Sequence, residues 1–508
     1  MTDLATKLPT GWAEASLGEL TTKLVDGSHN PPKEADFGFP MLSARNIDEG
    51  QIQFTKYRFI SEQSFKVEHA RTQVSPGDVL LTIVGTIGRT AIVPHSIQPF
   101  TLQRSVAVLA PQGVIPEFLK FQLDSPIIQT QLEAEAKGTA QKGIYLKALA
   151  GIKLRVAPLN EQRHIVTKIT ELTARSHRAR EALDAIPALL DRFRQSVLAA
   201  AFRGDLTAEW RAKNPDVEPA SVLLDRIRQE RYRKWEKNLR TKGKDPSRAK
   251  YEDPLAPESD GLPSLPEGWC WATVDELAVL TQYGSSAKTY EDPSGIPVLR
   301  MGNIVDGTLL MEGLKYLPAD HDEFPELFLE AGDILFNRTN SPELVGKTAV
   351  FEGADGPVSF ASYLIRVRVR GCLPQIVSMY INSPFGRAWV GENINQQVGQ
   401  ANINGSKLRA LTIPVPPLEE QRHIVAVVER ALMSRGQVRE TVGITLDGLE
   451  TLTQSILAKA FRGELVPQDP NDEPASALLD RIRGERAEAV VPKARRGRKP
   501  RELTEARG

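Results

Sequence analysis

A nine-residue segment that occurs twice limits the possible folds of this chain more than any other feature. The segment Pro158–Val166 reads PLNEQRHIV, and Pro417–Val425, 259 positions later, reads PLEEQRHIV. The same separation places Ala201–Gly204 on Ala460–Gly463, both AFRG, without a gap. A repeat of this length indicates a duplicated domain with its own helix rather than a short-period solenoid. We therefore predict a tandem of two similar halves.

Between the repeated segments, apolar residues follow the spacing of a long amphipathic helix in each half. Steps of three and four predict a heptad seam, which is interrupted at Ser176 in the first half and at Arg435 and Thr445 in the second. A polar residue at one seam position commonly fixes the register of paired helices. We predict that the two helices pair within the chain; the alternative is that each packs on its own globular domain. The seam positions are Ile165, Ile169, Leu172, Ala179, Leu183, Ile186, Leu190, Phe193 and Val197, then Ile424, Val428, Ala431, Val438, Val442, Leu449, Leu452 and Ile456.

Pro187 lies inside the first of these helices and has no counterpart in the second, where Leu446 stands at the equivalent position. A proline in a helix interior removes one backbone hydrogen bond and clashes with the preceding turn. The first helix should therefore kink or break near Ala185, whereas the second should run straighter.

The globular parts of the two halves repeat as well. Gly-Trp pairs at Trp12 and Trp269 open them, and the segment Gly77–Leu81 matches Gly332–Phe336. Short β-branched runs bounded by Gly, Pro, Asn and Asp predict strands and turns, and helical stretches follow them, so we predict α+β domains. The residues between the matching anchors differ. One scaffold is therefore expected to carry two different sets of loops.

Composition indicates an ordinary globular protein, with 41% hydrophobic and 25% charged residues. The two cysteines, Cys270 and Cys372, give neither a disulfide framework nor a CxxC metal site, and the seven histidines show no metal-binding spacing. We see no export signal and no apolar run long enough to span a membrane. A cytoplasmic protein without a membrane segment is expected.

Net charge is zero, yet basic residues concentrate in two places, from Arg226 to Lys250 and from Lys493 to Arg501. Such stretches are either solvated surfaces or phosphate contacts, and charge alone leaves both interpretations open. Residues 241–263 have the composition of a linker, and the tail after Val491 that of a disordered segment.

Two segments resemble catalytic motifs and fail on inspection. Asn30–Lys33 (NPPK) lacks the aromatic residue with which amino-methyltransferases stack a flipped base. Val345–Thr348 (VGKT) lacks the first glycine of a phosphate-binding loop, since Ser341 stands there. No catalytic or metal residue is therefore assigned.

Basic, amide and tyrosine side chains instead recur in loops near glycine at predicted strand ends. Arginine and lysine can donate to guanine, asparagine can pair with adenine, and either kind can hold phosphate. The predicted DNA contacts are Arg45, Arg89, Arg104, Lys142 and Tyr145 in the first half, and Arg300, Arg338, Asn340, Lys347, Tyr363, Asn402 and Asn404 in the second.

With these features together, the chain resembles the specificity (S) subunit of type I restriction-modification systems. The resemblance rests on the paired PLxEQRHIV and AFRG segments, the Gly-Asp-Val/Ile-Leu strands and the Gly-Trp entries. It implies two target-recognition domains that each read half of a split double-stranded DNA sequence. It also implies that two long helices form an antiparallel coiled coil between these domains.

The resemblance further implies partners that carry the chemistry. Two methylation (M) subunits would dock on the helices, and restriction (R) motor-nuclease subunits would join them. S-adenosylmethionine, ATP and Mg would belong to those partners, with no cofactor in this chain. The predicted partner contacts lie in the repeated segments and are Gln162, Arg163, Gln421, Arg422, Phe202 and Phe461.

Two other functions remain open at this point: a stand-alone DNA methyltransferase or related enzyme, and a structural coiled-coil protein that binds no DNA. The predicted domains are a first target-recognition domain (1–157), a first helical region (158–240), a linker (241–263), a second target-recognition domain (264–416), a second helical region (417–490) and a basic tail (491–508).

Overall fold

A computed structural model describes residues 7–138, 142–258, 261–397 and 400–490. The predicted basic tail lies outside them. The chain divides into two compact units, unit 1 (1–184 with 443–508) and unit 2 (185–442). The predicted domain boundaries follow the sequence repeat, whereas these units divide both long helices between them.

The first globular domain is an α+β structure. Its strands are β1 (Ala13–Ser16), β2 (Thr21–Asp26), β3 (Phe39–Leu42), β4 (Ile47–Asp48), β5 (Gln51–Ile52), β6 (Arg58–Ile60), β7 (Val79–Thr82), β8 (Thr90–Ile92), β9 (Thr101–Leu102), β10 (Val106–Pro111) and β11 (Lys153–Val156). Its helices are α1 (Glu62–Thr72), α2 (Pro116–Leu123), α3 (Pro126–Glu135) and α4 (Leu146–Gly151). Next come α5 (Leu159–Asp184), α6 (Ile186–Arg203), α7 (Ala208–Lys213) and α8 (Ala220–Thr241).

The second globular domain has the same organisation. Its strands are β12 (Cys270–Thr273), β13 (Ala278–Tyr283), β14 (Ile296–Leu299), β15 (Ile304–Val305), β16 (Thr308–Leu309), β17 (Lys315–Leu317), β18 (Ile334–Asn337), β19 (Thr339–Asn340), β20 (Thr348–Val350), β21 (Ser359–Phe360), β22 (Leu364–Val369), β23 (Asn395–Gln397), β24 (Gln400–Asn402) and β25 (Thr412–Val415). Its helices are α9 (Val274–Leu277), α10 (Pro374–Asn382), α11 (Pro384–Asn393) and α12 (Gly405–Ala410). The chain continues with α13 (Leu418–Ala460) and α14 (Ala475–Val490).

Sheet topology confirms the predicted duplication. The order β2-β10-β7-β8 in unit 1 corresponds to β13-β22-β18-β20 in unit 2, and both sheets are antiparallel. The mixed sheet β6-β3-β9 corresponds to β17-β14-β21, and the pair β1-β11 to β12-β25. Every residue of β7 and of β18 is buried, which explains why these runs are continuously apolar or nearly so.

Segments of the long helices share buried apolar clusters within each unit. In unit 1, Ile165 near the start of α5 shares a buried cluster with Ile456 near the end of α13. In unit 2, Leu198 near the end of α6 shares a core with Ile424 and Val428 near the start of α13. The paired segments are therefore antiparallel. Both clusters also contain residues of the globular domain, so the alternative packing contributes as well.

Several seam positions away from these clusters are partly exposed. Phe193 is 46% exposed, Val438 44% and Leu452 48%. The buried seam residue Arg435 instead bonds to carboxylates, with Nη2 donating to Asp191 Oδ1 at 2.5 Å and Nη1 to Asp306 Oδ2 at 3.2 Å. This polar position ties α13 to α6 and to the β15–β16 hairpin.

Pro187 has the predicted effect. Helix α5 ends at Asp184, and α6 begins at Ile186 with the proline in its first turn. That position suits proline because the first helical N–H groups have no intrahelical acceptor. Helix α13 runs without interruption through 43 residues.

The helices that follow the two long helices, α8 and α14, each pack on the globular domain of the other repeat. The local sequence did not predict this packing. Helix α8 follows the first long helix, yet Leu223 and Leu224 are buried in the core of the second domain. Helix α14 likewise buries Leu479 and Ile482 in the first domain, at the other end of the chain. After α8, the predicted linker holds a single 3-10 turn among its described residues, and Leu255 N donates to Asp275 Oδ2 at 3.0 Å.

Candidate nucleic-acid interface

Three distant segments of unit 2 converge just beyond the end of β18. Arg338 N donates to Tyr363 O at 3.0 Å, and Ile403 N donates to Arg338 O at 2.9 Å. Beyond this point β19 pairs with β24, which pairs with β23 to form a small sheet. The backbone thus brings the loops of Arg338, Tyr363 and Asn402 together.

Arg338 is held by an aromatic residue that the sequence did not single out. Its guanidinium lies 4.8 Å from the ring centroid of Tyr283, within range of a cation–π interaction. The Tyr283 hydroxyl accepts from Gly405 N at 2.8 Å, which fixes the ring. The half-buried guanidinium is therefore positioned in the free protein, and an arginine can donate two hydrogen bonds to guanine.

The amide side chains around Arg338 differ in which of their polar atoms are hydrogen-bonded within the chain. Asn404 Oδ1 accepts from Lys407 N at 2.9 Å and caps α12, so this oxygen has a structural role. Asn402 Nδ2 donates to Thr339 Oγ1 at 2.9 Å, and Asn340 Oδ1 accepts from Ser341 N at 2.8 Å. Both Asn340 and Asn402 stay partly exposed.

Two predicted contacts of unit 2 stand outside this cluster. Arg300 lies at the start of a 3-10 turn, where its Nη2 donates to Gly313 O at 2.8 Å, so its role is structural. Lys347 flanks the cluster, since its carbonyl accepts from Asn337 N at 2.9 Å. Its side chain is half-buried.

Unit 1 repeats the backbone framework with different side chains. Ile83 N donates to Ser105 O and Ile144 N to Ile83 O, each at 2.9 Å, so Ile83 occupies the place of Arg338. Gly85 N donates to Lys142 O at 3.1 Å. The framework therefore places Lys142 beside the turn that follows β7.

The other predicted contacts of unit 1 are divided between free and paired groups. Arg45, Arg104 and Lys142 are exposed, and Tyr145 is 72% exposed. Ala44, which precedes Arg45, donates from its backbone N to Ser105 Oγ. Arg89 is instead paired with Asp48, Nη1 to Oδ1 at 3.1 Å. Each of the four exposed residues belongs to the loop framework or is next in sequence to one of its residues, whereas the charge of Arg89 is partly neutralised.

Four of the predicted partner contacts are buried, which corrects that assignment. Gln162 Nε2 donates to Ala157 O, while Gln421 Nε2 donates to Pro416 O, at 2.9 and 2.8 Å. These fully buried amides join each helix start to its own domain, and the rings of Phe202 and Phe461 lie in the cores. No partner can reach these four side chains. Arg163 and Arg422 are exposed, and their role stays a prediction.

Each helix start contains a buried tryptophan–glutamate pair that the sequence analysis did not predict. The repeated Gly-Trp and Glu-Gln-Arg segments were the sequence signal that could have indicated it. Trp12 Nε1 donates to Glu161 Oε2, and Trp269 Nε1 to Glu420 Oε2, both at 2.9 Å. In unit 2 the second oxygen of Glu420 accepts from Thr207 at 2.6 Å and pairs with Arg211.

Among the described residues, no cation pairs with Glu161 in this way. The segment that carries Arg211 after α6 is longer than the corresponding segment after α13. Glu161 Oε1 is buried and has no hydrogen-bond partner among the described residues. Burial, opposed by the Trp12 bond and reinforced by nearby Asp472, raises the pKa of Glu161 to about 7.

The described residues contain no group of three or more His, Cys, Asp or Glu side chains arranged to hold a metal ion. Within the same part of the chain, no helix has the length and apolar character needed to cross a membrane.

Comparison with known proteins places this architecture in one family. Residues 9–184 and 266–432 match the profile of the type I restriction modification DNA specificity domain. The chain is 27% identical over 515 residues to the type I restriction enzyme EcoKI specificity subunit of Escherichia coli K12, covering 97% of this chain and 99% of the relative. It is 26% identical to the StySPI specificity subunit of Salmonella potsdam, with coverages of 95% and 96%.

Solved structures show the same fold. A chain from a study of complex assembly and conformational transition of the type I R-M system matches with a TM-score of 0.63 and 22% identity, over 91% of this chain and 100% of that one. The HsdS subunit from Thermoanaerobacter tengcongensis matches with a TM-score of 0.53 and 22% identity, over 92% and 100%.

Proposed function

The chain belongs to the family of type I restriction-modification DNA specificity subunits, and on that premise we propose that each unit reads one half of a two-part DNA sequence through its convergent loops. A specificity subunit is not itself catalytic. The catalytic activities reside in other subunits of the type I system.

One observation carries this proposal: the same backbone framework occurs twice and holds different side chains. Unit 2 presents a positioned guanidinium, Arg338, with amides close by. Unit 1 has Ile83 at that point and presents Arg104, Lys142 and Tyr145 around it. Different donors and acceptors on equivalent frames select different bases. Two unlike half-sites are therefore expected.

The long helices have a separate role in this proposal. Helices α5, α6 and α13 form an antiparallel coiled coil that sets the number of unread base pairs between the half-sites. The antiparallel end contacts within each unit support it. Two methylation subunits dock on the exposed seam residues Phe193, Val438 and Leu452 and on Arg163 and Arg422. Restriction subunits join the assembly through them, and the partners bind S-adenosylmethionine, ATP and Mg.

Methylome sequencing of cells that express this chain with its methylation subunit tests the proposal. We expect one modified sequence made of two specified parts separated by a spacer of fixed length. A single uninterrupted target, or methylation that does not depend on this chain, would contradict it.

A further inference from the structure

A basic groove lies beside the candidate interface of unit 2, between α8 and β13. Its volume is about 690 Å³. Five cationic side chains line it: Arg231, Arg233, Lys234, Lys237 and Arg370. Glu230 and Glu276 are the acidic residues of the same lining.

Most of these cations have no acidic partner. Glu276 is engaged by Arg228, Nη2 to Oε1 at 2.6 Å, and Arg231 lies 3.8 Å from Asp275. Among the described residues, Arg233, Lys234, Lys237 and Arg370 form no ion pair, and all four are exposed. An ordinary solvated helix face mixes its charges. Here the positive charge is concentrated on a concave surface, the arrangement that attracts a polyanion.

The groove is structurally supported. Trp235 packs against Tyr232 and Tyr251, with ring centroids 5.5 and 5.2 Å apart, so the C-terminal part of α8 is braced by aromatic contacts. Strand β13 is the edge of its sheet, which leaves one row of backbone N–H groups available to an acceptor.

The groove leads to the candidate interface. A second cavity of about 390 Å³ shares Arg231, Ala278 and Val279 with it and extends to Tyr283, the residue that positions Arg338. Strand β13 connects the two ends, and at about 3.3 Å per residue its six residues span roughly 17 Å. That length corresponds to about five base pairs at about 3.4 Å each.

Unit 1 has no equivalent of this surface among its described residues. Helix α14 corresponds to α8, and the arginines in its described part are engaged. Arg481 pairs with Glu473, Arg483 with Glu19 at 3.2 Å, and Arg486 donates to Gly18 O at 2.9 Å. Of these two corresponding helices, α8 is therefore the one with unpaired cations in the described part of the chain.

We propose that this groove binds the sugar-phosphate backbone of the duplex about five base pairs from the bases contacted by Arg338, on one side of one half-site. The inference rests on the proposed function. It assigns α8 to DNA binding outside the target-recognition domains, as a contact that adds affinity without sequence preference.

The test uses the complex of this chain with its methylation subunits and a duplex carrying the sequence that the methylome returns. Lys234→Ala with Lys237→Ala removes two groove cations. Lys242→Ala with Lys244→Ala removes two exposed cations beyond the end of α8, outside the groove, as a matched control. Dissociation constants are measured by fluorescence anisotropy over a range of salt concentrations.

The groove variant should lower the magnitude of the slope of log K against log salt by about 2, because each phosphate contact contributes about 0.9 to 1. Affinities for target and non-target duplexes should fall by the same factor, and the methylated sequence should not change. Equal slopes for the groove and control variants would overturn the inference, as would loss of assembly with the methylation subunits, which would make the groove a protein-binding surface. Failure of the unmodified complex to prefer its target would instead contradict the proposed function.

A second measurement locates the contact. Duplexes shortened stepwise on either side of the unit 2 half-site should weaken binding of the unmodified complex once fewer than about five base pairs remain on one side. The groove variant should be insensitive to that shortening. Equal sensitivity of the variant and the unmodified complex on both sides would overturn the proposed position.

Discussion

Arg338 and Ile83 occupy equivalent places in the two frameworks. The two units therefore present different chemical groups at this place. A guanidinium can donate two hydrogen bonds to guanine, whereas an isoleucine offers only an apolar contact. The stacking of Arg338 on Tyr283 reduces the conformational entropy that binding would otherwise cost.

Arg338→Ala should therefore relax base preference at one position of the unit 2 half-site. The expected loss of discrimination is about 1 to 3 kcal/mol. Competition binding with duplexes that vary at each position measures it. Arg300→Ala is the matched control, because that guanidinium bonds to Gly313 within its own domain. A uniform loss of affinity for all sequences would make Arg338 a backbone contact instead.

Buried Glu161 gives unit 1 a pH dependence that follows from its raised pKa. The ordinary pKa of this carboxyl is 4.5, and in the folded chain it is about 7. Between these values the folded state keeps a proton that the unfolded chain has released. Stability of unit 1 should therefore fall as pH rises from about 4.5 to about 7.

Glu161→Gln should remove this pH dependence and stabilise unit 1 above pH 7, since a neutral amide can still accept from Trp12. Hydrogen exchange of unit 1 amides at several pH values measures the effect. Glu420→Gln is the comparison in unit 2 and should destabilise, because it breaks the pair with Arg211. Unit 1 amides whose protection is constant between pH 5 and pH 7 would contradict the account of Glu161.

At the scale of elements, the long helices have packed ends, whereas the positions between them include both exposed and buried residues. Each end is fixed by the amides Gln162 and Gln421 and by the buried glutamates beside them, while Phe193 and Val438 are half-exposed. The repetition of Gln162 and Gln421 is therefore explained by their internal role, while Arg163 and Arg422 in the same segments are exposed. A sequence segment can be repeated because the fold requires it, as well as because a partner binds it.

Lengthening the helices tests their proposed role as a spacer. Because α5 and α13 run antiparallel in unit 1, a heptad inserted after Leu172 must be matched by one in the facing part of α13, near Leu449. Each heptad adds about 10.5 Å, roughly three base pairs of rise. Methylome sequencing should return a longer spacer with both half-sites unchanged. A variant that assembles and methylates with the original spacer would show that the helices do not set the distance.

At the scale of the whole molecule, the duplication could be predicted from the sequence, whereas the packing between distant segments could not. The duplicated domains and the break before Pro187 follow from sequence, since a repeat or a proline acts locally. The packing of α8 on the second domain and of α14 on the first depends on contacts between distant segments. Tyr283 could not be predicted because its counterpart, Asp26, shares no chemistry with it.

In the proposed function, the two units read their half-sites independently. Replacing residues 14–150 with the same region of a relative of known target, followed by methylome sequencing, tests this most directly. We expect one half of the methylated sequence to become that of the relative, while the other half and the spacer length are retained. A change in both halves would contradict modular recognition by two units.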